Sequence, residues 1–118
     1  MPEAVLPFLL REVDPRAPWV AGLPYQYLAA CGSTNEMLKR GAGALPSGAT
    51  VVTDEQSAGR GRLRRTWMSG PAKDLTFSVL ARPSLAPSQA HLLSLCAALA
   101  VAEVIEKMPG LQDRVGIK

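Results

Sequence analysis

Cysteine, histidine and aromatic residues are scarce in this 118-residue chain, which has two Cys, one His and 5% Phe, Trp and Tyr. Cys31 and Cys96 lie far apart, with no Cys-x-x-Cys or Cys/His spacing around either. That excludes a zinc ribbon or a disulfide framework and points to reduced thiols in a cytoplasmic protein. A single histidine, His91, builds no Ser/His/Asp constellation, and the sequence holds neither a Walker loop nor a metal-ligand cluster. His91 falls in the first turn of a predicted helix and reads as a solvated or capping residue. Long apolar runs are lacking too. The longest, Leu92 to Ala102, is interrupted by Ser94 and falls short of the roughly 20 residues a bilayer span needs, so it reads as a buried helix. Near the N-terminus Ala4 to Leu10 is apolar, but Glu3 precedes it and the first cation, Arg11, follows it, the wrong side for a signal peptide. Neither export nor a membrane is expected.

What is present suits one small globular domain: 47% of residues are hydrophobic and 19% charged. The net charge of +3 is local. Arg60, Arg62, Arg64 and Arg65 lie within six residues, and without them nine cations face ten anions.

Residues 1–24 hold five prolines and read as an irregular leader with one short helical piece near Phe8 to Val13. Tyr25 to Ala29 alternates like a strand that Cys31-Gly32 ends. Ser33-Thr34-Asn35-Glu36 has the form of a capping box, opening a helix that runs to Gly41. Gly43, Pro46 and Gly48 make a loop, Ala49 to Thr53 a short β-branched strand, and Asp54 to Trp67 a glycine- and arginine-rich connection. A strand is predicted from Leu75 to Arg82, with Leu75, Phe77 and Val79 on one face, and a long helix from Pro87 to about Met108, closed by Pro109-Gly110. Arg114 to Lys118 looks like the start of another strand. The pattern is α/β or α+β, one mixed sheet with helices packed against it. A strand that stops after a few residues suggests a fragment, and its unpaired edge would be covered in a homodimer.

Glycine and arginine alternating between two strands has a physical use. Glycine lets a ligand approach the backbone amides, and arginine offers a planar fork of donors to phosphate or carboxylate. Four guanidiniums so close repel one another unless an anion compensates them, so an anionic ligand is the favoured reading. A solvated basic loop is the bland alternative. A nucleic-acid-binding module, with Trp67 stacking a base, is another, though no further basic stripe continues the footprint. Ser33, Thr34 and Asn35 serve as a helix cap and, compatibly, as donors and acceptors for a polar ligand. Gln56 either closes a turn or reads a urea-like or amide edge with one donor and one acceptor face.

Taken in order, Ser33-Thr34-Asn35, Asp54-Glu55-Gln56-Ser57-Ala58-Gly59-Arg60-Gly61-Arg62, Trp67, Leu75-Thr76-Phe77-Ser78 and Val115-Gly116-Ile117-Lys118 resemble the signature of biotin protein ligases, the biotin–[acetyl-CoA-carboxylase] ligases. The resemblance covers residues 25–118 and implies the N-terminal part of that family's catalytic domain, apparently truncated, with a biotin/lipoate ligase-like fold. It implies a two-step reaction. Biotin and MgATP give biotinyl-5'-AMP, and a lysine of the biotin carrier domain of a carboxylase then displaces AMP. In that frame Ser33, Thr34, Asn35, Gln56, Arg60, Gly61, Arg62 and Lys118 bind biotin. Arg62, Arg65 and Trp67 meet the nucleotide, Arg62 and Lys118 are catalytic, and no residue is assigned to a protein-bound metal. Lipoate attachment on the same fold is a related alternative. With the family's Trp-Pro-Asn-Asp residues not following Lys118, these 118 residues alone are expected to show little or no ligase activity. With 24 residues before Tyr25, a winged-helix repressor domain and DNA binding are not expected. One departure lies inside the loop. Arg64 stands where the family usually has glycine, and a positive φ there would be costly for arginine.

Overall fold

The computed structural model describes residues 24–71 and 73–117. The leader, apart from Pro24, the helical piece expected near Phe8 to Val13, and Lys118 lie outside the described residues. The described chain forms two compact units, one ending at Arg82 and the other beginning at Pro83.

The first unit is a four-stranded mixed sheet with a helix across it. Strand β1 (Tyr25–Cys31) is followed by helix α1 (Thr34–Gly41) and strand β2 (Thr50–Arg60); strands β3 (Thr66–Ser69) and β4 (Thr76–Val79) complete the sheet. β1 and β2 are parallel, with Tyr25 opposite Thr50 and Cys31 opposite Gln56, so the connection between them must cross over, and α1 is that crossover. Along its other edge β2 changes partner. Thr50 to Thr53 pair with β4, and Gln56 to Arg60 pair with β3, both antiparallel.

Helix α1 begins where the cap was expected. Ser33 is extended, and its Oγ accepts from Glu36 N at 3.4 Å. The reciprocal half of the box is replaced, for the Glu36 carboxylate lies 3.3 Å from Lys39 Nζ instead. Thr34 and Leu38, one turn apart, are its buried residues, because that face lies on β2 and β4. The core is small: Leu38, Leu45, Ala49 and Val51, with Leu28, Met37 and Leu80 packed at its margin. Each fully buried aliphatic side chain contributes about 1.5–3 kcal/mol. The loop after α1 is strapped by Arg82, whose Nη2 donates to Ala42 O and to Leu45 O, while its backbone N donates to Ser47 Oγ at 3.0 Å.

Three expectations are corrected in this unit. Asp54 to Arg60 is strand, because β1 and β3 pair with it. Thr66 to Ser69 is a strand as well, so the arginine-rich segment is the tip of a β-hairpin. The strand expected over Leu75 to Arg82 is regular only from Thr76 to Val79.

In the second unit a 3-10 turn, Pro87–Gln89, leads into helix α2 (His91–Glu106). The exposed His91 ring nitrogen Nδ1 lies 3.1 Å from Ser88 O, a contact to a carbonyl that caps none of the first helical N–H groups, and Gly110, at φ 81°, follows the helix end. The burial expected for this helix is not found. None of its residues is buried, since it is apolar on every side and would need cover around its whole circumference. With the 3-10 turn the helical stretch Pro87–Glu106 reaches 20 residues at mean hydropathy 1.5, long and apolar enough to cross a membrane by those measures alone. Interior helices of soluble folds have the same composition, so the feature by itself marks no membrane protein. Val115 to Ile117 form no strand, and the expected terminal strand is withdrawn for the described residues.

Candidate functional site

A cleft of about 390 Å³ opens beside the start of α1 and is lined by residues of four elements. Ser33, Thr34 and Asn35 come from the helix cap and first turn, Gln56 and Arg60 from β2, Trp67 from β3, and Thr76 to Ser78 from β4. Six residues singled out in the sequence are thereby brought together: Ser33, Thr34, Asn35, Gln56, Arg60 and Trp67. Gly61, Arg62 and Arg65 lie in the neighbouring hairpin tip and are not in its lining.

The floor is a hydrogen-bonded knot. Gln56 reaches from β2 to the first turn of α1, where its Oε1 accepts from Thr34 N at 3.0 Å. Thr34, 3% exposed, also places Oγ1 2.7 Å from Ser78 Oγ, and Ser78 in turn donates to Asn35 Oδ1 at 2.6 Å. Gln56 is fixed from behind as well, its backbone N donating to the buried Ser69 Oγ at 3.1 Å. The two-faced reading of Gln56 is therefore narrowed. Its acceptor is turned to the helix, and its amide NH2 is the part left for a ligand.

Gly59 is the one glycine of the motif whose lack of a Cβ is demanded by contact. A Cβ there would stand 2.3 Å from Gln56 Nε2 and 2.6 Å from Trp67 O. The β2–β3 register shifts between Gln56 and Gly59, a bulge that lets the Gln56 amide lie over the glycine.

Beyond Gly59 the hairpin turns through Arg62, Leu63, Arg64 and Arg65. Gly61 N donates to Arg65 O at 2.7 Å and Arg65 N to Arg62 O at 3.2 Å. Leu63 and Arg64 have φ of 56° and 61°. Positive φ at both central positions is the requirement of a type I′ hairpin turn, normally met by Asn-Gly. The loop thus keeps a left-handed backbone at Arg64 and carries the cost there. All four arginines of the segment are exposed, presenting fixed positive charge beside the cleft.

Ser78, Thr76 and Lys39 also line the cleft and were not among the candidates read from the sequence. Ser78 stood in a quoted motif, but nothing local shows that a serine 43 residues from Asn35 meets it. Lys39 follows Asn35 by four residues, one helical turn, which is a usable signal.

On one sheet and one helix, a cleft lined by hydroxyl and amide side chains lies beside an exposed arginine-rich turn. These features define a mixed α+β domain with a polar cleft at the start of its crossover helix. The chain belongs to the biotin/lipoate A/B protein ligase family, whose pattern matches residues 27–116. It is 40% identical over 70 residues to the bifunctional ligase/repressor BirA of Bacillus subtilis (strain 168), covering 59% of this chain and 22% of that protein. It is 36% identical over 91 residues to the bifunctional ligase/repressor BirA of Escherichia coli (strain K12), covering 77% of this chain and 28% of that protein. The chain therefore matches about a quarter of the length of these relatives.

Proposed function

We propose that this chain carries the biotin-recognising part of an ATP-dependent biotin–protein ligase. The observation that supports it most directly is the cleft, in which Ser33, Thr34, Asn35 and Gln56 meet Arg60 and Trp67. The ureido head of biotin is a compact amide-like group with a carbonyl acceptor. The knot of Thr34, Gln56 and Ser78 leaves the side-chain amides of Asn35 and Gln56 to donate to it.

The reaction follows from the charges. A biotin carboxylate oxygen attacks the α-phosphorus of ATP and pyrophosphate departs, giving biotinyl-5'-AMP. A lysine amine of a carboxylase's biotin carrier domain then attacks the acyl carbon and AMP leaves. The first step brings two anions together, so cations fixed at the meeting point are the main source of rate enhancement. In this reading Arg60, Gly61 and Arg62 serve the carboxylate and phosphate, Arg65 and Trp67 the nucleotide, and Lys118 the acyl phosphate. Mg²⁺ enters as the counter-ion of ATP; the described residues hold no group of three His, Cys, Asp or Glu side chains placed for a metal. A cytoplasmic setting, a homodimer and the absence of DNA binding belong to the same proposal. The relatives are named as both ligase and repressor, and only the ligase part is carried over, because the matched pattern is that of the ligases.

Lipoate attachment is the second reading, since the family takes in both acids. Two uncommitted amide donors favour a urea carbonyl over a dithiolane ring, which offers no strong acceptor. Equilibrium dialysis of the chain against labelled biotin, with lipoate as competitor, tests the proposal, together with adenylate formation from biotin and labelled ATP. Saturable biotin binding lost in Asn35→Ala and Gln56→Ala is expected, with little turnover by the 118 residues alone. Salt-dependent oligonucleotide binding, lost in Arg60→Ala and Arg62→Ala and indifferent to biotin, would replace it with the nucleic-acid reading.

A further inference from the structure

The order of protons in the knot beneath the cleft follows from its lengths. Ser78 Oγ lies 2.6 Å from Asn35 Oδ1 and 2.7 Å from Thr34 Oγ1. Both separations suit O–H···O bonds, and 2.6 Å is shorter than N–H···O bonds ordinarily are, so Asn35 turns its carbonyl and not its NH2 toward Ser78. A carbonyl only accepts, which commits the one proton of Ser78 to Asn35. Thr34 then has to supply the proton between the two hydroxyls. Its own proton is spent on Ser78, and Gln56 Oε1, 3.0 Å from Thr34 N and 3.4 Å from Thr34 Oγ1, is held by the backbone N–H. Both amide carbonyls are thereby drawn into the knot, leaving Asn35 Nδ2 and Gln56 Nε2 as donors on residues that line the cleft. Ser33 adds a third, since its oxygen accepts from Glu36 N while its proton is uncommitted. The one carboxylate in the lining, Glu36, is paired with Lys39.

We propose that Ser78 is a positioning residue that sets the hydrogen-bond polarity of this cleft. By holding the Asn35 carbonyl and taking the Thr34 proton it turns the Asn35 and Gln56 amides donor-outward at the head-group end. That end selects a neutral acceptor, a urea-type carbonyl, over an isosteric head that is itself a cationic donor. The choice of biotin as ligand rests on the function proposed above; the proton order does not.

Ser78→Ala removes both contacts, so the Asn35 amide is released to turn over and the Thr34 hydroxyl to turn toward Gln56. Ser78→Thr keeps the hydroxyl. The test is titration calorimetry of the chain with biotin and with 2-iminobiotin, whose ureido oxygen is replaced by a nitrogen that is protonated at neutral pH. The chain is expected to prefer biotin. Ser78→Ala narrows the preference by about tenfold, the scale of one neutral hydrogen bond, and Ser78→Thr restores it. A purely structural role lowers both affinities by one factor and leaves their ratio unchanged, and that result overturns the proposal. A second readout needs no ligand: the side-chain amide signals of Asn35 in a nitrogen-15 spectrum. They shift in Ser78→Ala and return in Ser78→Thr; signals that do not move overturn the relay. If they move as expected while the unsubstituted chain binds neither compound, the relay is upheld and the biotin reading is what fails.

Discussion

Replacing Arg64 with glycine should stabilise the protein although it removes a side chain from the segment that names the family. Arg64 sits at φ 61° beside Leu63 at φ 56°, in a turn closed by Arg65 N to Arg62 O at 3.2 Å. A left-handed backbone costs a residue with a Cβ roughly 1–2 kcal/mol. Glycine's extra freedom in the unfolded chain returns about 0.5–1 kcal/mol of that. The net gain of Arg64→Gly is therefore about 0.5–1 kcal/mol, and a gain near 1 kcal/mol raises the melting temperature of a unit this small by about 4–8 °C. Charge contributes in the same direction, because Arg64 lies among Arg60, Arg62 and Arg65. Arg64→Ala separates the two causes: it removes the same charge and keeps the Cβ. Thermal unfolding of all three forms by circular dichroism, at low and at raised salt, reads both. The advantage of alanine over arginine should shrink with salt, whereas that of glycine over alanine should persist. If Arg64→Gly melts at or below Arg64→Ala, the backbone argument is wrong.

Three further outcomes are expected. Gly59→Ala places a methyl against the Gln56 amide and the Trp67 carbonyl; since the carbonyl is backbone, the hairpin must shift, costing about 1–3 kcal/mol in denaturant unfolding and weakening biotin retention. Gln56→Ala strips the acceptor from the buried Thr34 N–H, a loss of about 1–3 kcal/mol, and Gln56→Glu, which keeps an acceptor, should recover stability without recovering biotin binding. Tyr27 donates to Asp54 Oδ2, and that hydrogen bond, with lesser help from desolvation and the carboxylate's charge, holds its phenol above the usual 10.0. The neutral phenol is the favoured form in the fold, so this contribution is complete below pH 10 and fades as pH rises through the raised value. With Tyr25→Phe as background, the ultraviolet titration of Tyr27 should move down in Asp54→Asn, and an unmoved midpoint would contradict the contact.

The elements legible in the sequence were those whose signals are local. Ser33 as cap, Gly41 at the helix end, β-branched Thr50 to Val52 and the Pro87 start of the second helical stretch all follow from neighbours in the chain. The misread segments depend on distant partners. Asp54 to Arg60 is polar and glycine-containing, and it is strand because β1 and β3 lie on either side of it. Thr66 to Ser69 is four residues beside a charge cluster, too short for periodicity to show. The run around Leu92 to Ile105 announces burial by composition, yet composition names no partner, and none of its residues is buried. In the site, motif order located Ser33, Thr34, Asn35, Gln56, Arg60 and Trp67. Ser78 escaped because its role exists only when β4 lies against α1.

The knot of Thr34, Gln56 and Ser78 joins residues separated by 22 and 44 positions along the chain. Loop closure over such distances is paid before the bonds form, so the cleft exists only once α1, β2 and β4 have come together. No peptide cut from the Ser-Thr-Asn segment would retain it, and a chain still emerging from the ribosome acquires it only once β4 has docked. On the function proposed above, ligand capture is thus a readout of the first unit's closure: a molecule that holds ligand in this cleft has brought α1, β2 and β4 together.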